Sequence, residues 1–136
     1  MLSRFVSAAA VASVLVALAV AVIGLSPVLS FAKVYPMPIA WCVLPLVWGI
    51  WAAILPQRWA RPGLPLWGGT LGLMAGVLAL VVLNLPSVVF QIAVPLTFRL
   101  LGVLVLTLLY YFFWVLVELV HETLEKHSDL PTAKLI

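Results

Sequence analysis

Read as runs of apolar and polar positions, the chain divides into four long apolar stretches separated by short segments rich in proline and basic residues. Phe5 to Leu25 carries no charge and is preceded by Arg4. It has about the 20 residues that a helix needs to cross a bilayer. Pro38 to Pro56 is the second stretch. Pro45 inside it lacks a backbone donor, which frees the carbonyl of Trp41 and predicts a kink. The third runs from Leu66 to Leu85, bounded by Asn84 and Pro86. The fourth runs from Leu96 to about Val120 and continues as a polar helix through His127, until Pro131 stops it. Lipid offers loose backbone no hydrogen bonds, so apolar runs of this length are read as helices. The pattern predicts an all-α protein: a polytopic transmembrane bundle of four spans in one domain covering residues 1–136, with residues 121–136 as a tail.

The first stretch also has features of a signal peptide, because Ser30-Phe31-Ala32 resembles a small-x-small cleavage site. Its apolar core is longer than the usual apolar region of such a leader, so a retained first helix is expected. Pro27, Lys33, Pro36 and Pro38 mark the first loop. Gln57 to Pro65 reads as a tight loop holding Arg58 and Arg61 between Trp59 and Trp67, a combination suited to a membrane–water interface. Ser87 to Pro95 has little polarity beyond Gln91, so a short interfacial helix or a protein-covered segment is expected there. Arg4, Arg58, Arg61, Lys126 and Lys134 fall on one side of such a bundle, and only Lys33 and Arg99 on the other. That bias predicts both termini in the cytoplasm, as for a protein of a bacterial inner membrane.

Within the third stretch the small residues are not scattered. At about 100° per residue, Gly68, Gly69, Gly72, Ala75, Gly76 and Ala79 share roughly one third of the helix circumference. This small-xxx-small groove lets a second helix backbone approach closely in lipid. The first helix carries two small-residue stripes, Ala9, Ser13, Ala17 and Ala21 on one side and Ala8, Ala12 and Ala19 nearly opposite. It is therefore the expected partner of the groove. Trp41, Trp48 and Trp51 share one side of the second helix and read as a packing or lipid-facing stripe rather than a cofactor face.

Composition agrees with the pattern: 66% of the 136 residues are hydrophobic and 8% charged, against about 25% charged in a soluble domain. The seven Lys and Arg residues are dispersed near the ends of apolar runs, which does not form a nucleic-acid footprint. Cys42 is the only cysteine, so neither an intrachain disulfide nor a cysteine-based metal cluster is available.

Candidate chemistry sits on the fourth helix. Thr107, Tyr110, Tyr111, Trp114, Glu118, His121, Glu122 and Glu125 project within about 120° of one another. Ionisable groups in hydrocarbon are costly, so such a stripe normally faces protein or water. One reading makes Glu118 and His121 a proton- or cation-handling pair with the tyrosines as hydrogen-bond partners. The other makes Glu118 an interfacial residue, with His121, Glu122 and Glu125 as the wet face of a cytoplasmic extension that contacts a partner. Glu118-x-x-His121 has the helical spacing of carboxylate di-metal bundles. Those sites need further ligands from facing helices, and the other three spans contain no Asp, Glu or His. No metal is therefore expected, and no cofactor beyond bound lipid.

Three functional classes follow. A non-catalytic accessory, structural or assembly subunit of a larger membrane complex fits the shortage of chemical groups in three spans and the smooth faces of the first helix. Its partners would be membrane lipids and other integral membrane subunits, and not nucleic acid. A small homo-oligomeric transporter or channel would use Glu118, His121 and the tyrosine face. A membrane enzyme acting on lipid or quinone fits least, for want of catalytic groups.

Overall fold

The computed structural model describes residues 1–25, 36–56 and 60–128. Five α-helices succeed one another: α1 (Leu2–Leu25), α2 (Pro36–Ile54), α3 (Ala60–Gly76), α4 (Leu85–Phe90) and α5 (Leu96–Ser128). The first loop, Arg58, Trp59, Pro131 and Lys134 lie outside the described residues. Helices α1, α3 with its continuation, and α5 are each long and apolar enough to cross a membrane.

Prolines open the helices rather than delimiting loops. α2 starts at Pro36 with Pro38 in its first turn, and α3 starts at Ala60 with Pro62 and Pro65 in its first two turns. The expected loops are shorter by those residues. The physical reason is that the first four N–H groups of a helix have no intrahelical acceptor, so proline loses nothing there and its fixed φ already suits the helix. α3 passes into a π-helical segment, Val77–Val82, closed by a bond from the Leu83 N–H to the Leu78 carbonyl at 2.9 Å. The expected short helix between the third and fourth stretches is α4. It is framed by two left-handed residues, Asn84 (φ 47°) and Gln91 (φ 56°). α5 is one unbroken helix of 33 residues, about 50 Å long at 1.5 Å per residue.

The helices pack as two close pairs. α3 and its π-helical continuation lie along α5, and α1 lies along α2; α1 also touches α5, whereas α2 meets α3 only sparsely. α1 and α3 make no backbone contact among the described residues. The expected partner of the glycine groove is thus corrected: the groove receives α5. The core lies where the pairs meet, with Ala8 and Ala12 of α1, Trp48, Ala52 and Leu55 at α2, Leu64 of α3, and Trp114 and Val117 of α5. In α1 it is the Ala8–Ala12 stripe that turns inward. Ser13, Ala17 and Ala21 are exposed and Ala9 is half-buried.

Candidate functional site

The polar stripe of α5 and the glycine groove of α3 are two sides of one joint. A Cβ on Gly68 would collide with the Trp114 ring, and one on Gly72 would stand 2.6 Å from Tyr110 Cβ and 3.1 Å from the Leu106 carbonyl oxygen. Gly76 faces the Val103 backbone, where a Cβ would lie 3.3 Å from Cα. Ala75 and Ala79 flank this seam, both half-buried. The aromatic side chains of α5 therefore act as knobs, and the missing side chains of α3 make the holes.

Thr107 donates its hydroxyl to the Val103 carbonyl at 2.8 Å, one turn back along the same helix. Tyr110 is half-buried and meets the Trp48 ring edge-on at 5.3 Å. Trp114 is fully buried and tilted against Trp48 at 5.6 Å. Tyr111 departs from this group, being exposed and edge-on to Phe112 at 5.7 Å. The expected stripe is thus a buried seam for most of its membrane portion.

Toward the end of α5 the stripe changes character. Glu118 is half-buried, His121 is buried, Glu125 is half-buried and Glu122 is exposed. His121 Nε2 lies 3.4 Å from Glu125 Oε1, an i,i+4 contact that becomes an ion pair when the imidazole is protonated. The histidine is therefore engaged one turn further from the membrane than the expected Glu118–His121 pair. Among the described residues no three His, Cys, Asp or Glu side chains converge on a possible metal position.

Several interactions escaped the sequence reading. Arg4, 3% exposed, donates through Nη1 to the Leu55 carbonyl at 2.7 Å. It thereby caps the end of α2, where the last carbonyls have no intrahelical donor. Pro56, which ends that helix, was the only sequence signal for such an orphan. Trp51 and Trp67 form a reciprocal clasp. Each indole N–H donates to the other residue's carbonyl at 2.9 Å, and the rings stack at 4.5 Å with planes 13° apart. The indoles were expected at an interface, but nothing in their spacing announces the exchange of bonds. Compared with protein-family models, with curated proteins and with solved structures, the chain matches none.

Proposed function

We propose that this chain is a non-catalytic accessory or assembly subunit of a larger complex of an inner membrane, with four spans and both termini in the cytoplasm. The observation that supports this reading is the fate of the α5 stripe. Tyr110 and Trp114, the groups a pore or transport path would use, are spent on the joint with α3 and on Trp48. What the chain presents outward is apolar helix, including the exposed Ser13, Ala17 and Ala21 of α1. A small-residue stripe of that kind suits close approach by another helix in lipid. For the fourth span, α2 has 19 residues, about 28 Å of helix against a hydrocarbon core of about 30 Å. The positions of Arg4, Arg58, Arg61, Lys126 and Lys134 support the orientation.

Gentle solubilisation of native membranes, followed by identification of the co-migrating chains, tests the reading. Other integral membrane subunits in fixed ratio are expected. A homo-oligomer alone would overturn it and favour the transporter, whose remaining support is the Glu118–His121–Glu125 end of α5. In that case Glu118→Gln should abolish transport in vesicles and leave assembly intact.

A further inference from the structure

α2 and α5 make no backbone contact among the described residues. Trp48 of α2 bridges the gap by lying against Tyr110, Phe113 and Trp114 of α5. Beside this bridge, where α1, α2 and α5 meet, a crevice of about 110 Å³ remains open at the side. Leu15 and Ala19 of α1, Trp41 and Trp48 of α2, and Tyr110 and Phe113 of α5 line it. These residues fall near the middle of their helices, so the crevice sits deep in the apolar layer. Its walls are aliphatic and aromatic, with no charged side chain.

Two hydrogen-bond donors break that apolar lining. Trp48 is 1% exposed, and its indole N–H has no acceptor at bonding geometry among the described residues. The Tyr110 hydroxyl is the polar group associated with it, and that hydroxyl has no further partner among the described residues. Lipid tails cannot satisfy either donor, and buried polar groups are normally paired. Water fits the place poorly, since a buried water needs two to four polar partners and the space, at about 30 Å³ per water, would hold about three of them. A charged ligand would find no counter-ion. A neutral acceptor on an apolar body satisfies all these conditions.

We propose that this crevice binds a membrane-dissolved molecule through a neutral carbonyl, as carried by a quinone ring or an acyl ester. The carbonyl oxygen accepts from the Trp48 N–H and the Tyr110 O–H. The adjoining apolar part lies against Trp41, Phe113 and Leu15, and the remainder leaves through the open side. This site is independent of the subunit reading, because it requires neither a partner nor a reaction.

The full chain, with its six tryptophans labelled with ¹⁵N at the indole, is examined by NMR in dodecylphosphocholine micelles, a detergent without a carbonyl. Titration with decylbenzoquinone or with monoolein should move the Trp48 indole signal in a saturable way. The Trp51 and Trp67 signals should stay in place, because their N–H groups are already bonded to each other's carbonyls. Trp48→Phe assigns the signal. Tyr110→Phe should weaken binding about tenfold, the loss of one hydrogen bond of about 1.4 kcal/mol. Ala19→Phe fills the crevice and should abolish the shift while leaving the Trp51 and Trp67 signals unchanged. A response to the quinone alone identifies a quinone site, and a response to monoolein alone an ester site. Either result, or a response to both, supports the proposal. A Trp48 signal that moves with neither, or that shows only exchange with water, overturns it. So does a response that survives Ala19→Phe.

Discussion

Gly72 shows at the scale of one residue how this protein is held together. Its missing side chain is replaced by Tyr110, and even a methyl group would stand 2.6 Å from Tyr110 Cβ. Because the Leu106 carbonyl also lies within 3.1 Å of that position, α5 itself would have to retreat. Gly72→Ala should therefore destabilise the folded state by about 1–3 kcal/mol, the usual range for overpacking, and Gly72→Leu should separate α3 from α5. Gly63 provides the contrast on the same helix, since a Cβ there meets nothing within 4 Å. Gly63→Ala should be neutral or stabilising by up to about 1 kcal/mol, because alanine loses less backbone freedom in a helix. Unfolding of both variants in mixed micelles checks the pair; equal costs would count against the joint. Arg4 belongs to the same scale. Arg4→Met keeps the apolar stem and leaves the Leu55 carbonyl without its donor, for an expected loss of about 1–3 kcal/mol and faster amide exchange at the end of α2.

At the scale of elements, α2 and α3 are neighbours in sequence yet barely touch. The Trp51–Trp67 clasp is what joins them. Each single change to Phe removes one donor and loosens the stack that orients the other, so the two bonds should depend on each other. Unfolding free energies of Trp51→Phe, Trp67→Phe and the double variant should give an interaction energy of about 0.5–3 kcal/mol. Strictly additive costs would mean that the bonds act separately. Much of this level was legible beforehand. The apolar runs predicted α1, α3 and α5, the polar continuation of α5 through His127, and a short helix after Asn84. Helix starts were less legible. Pro36, Pro38, Pro62 and Pro65 read as loop residues because proline breaks helices from within, yet each lies where the helix has not begun to need its donors. The π-helical segment at Val77–Val82 had no sequence signal, since its residues suit an α-helix equally well.

For the whole molecule, the order of contact is α2, α1, α5, α3, with Trp48 and Trp114 filling the centre. Only 28% of the best apolar window in α1, 28% of that in α3 with its continuation, and 17% of that in α5 are buried within the chain. Most of the apolar surface therefore meets lipid or other protein. Ala17 separates these two environments because it is exposed. Ala17→Leu should leave the stability of the isolated chain within about 0.5 kcal/mol of the parent, while reducing recovery of co-migrating subunits from native membranes. Unchanged recovery would remove the α1 stripe from the proposed interface.

By itself the sequence determined that this chain is helical, where its long helices run, and that α3 carries a groove. Those features are local: an apolar run in lipid must satisfy its own backbone, and a side chain's position around a helix follows from its spacing. The occupant of the groove was decided only in three dimensions. Spacing measures the smallness of Ala9, Ser13, Ala17 and Ala21 but not their fit to a distant helix. A deep groove of glycines gains more contact from large rings than from other small side chains, because dispersion grows with the number of atoms brought together. Tyr110 and Trp114 supply those rings, and so a stripe that looked like chemistry became the other half of the joint.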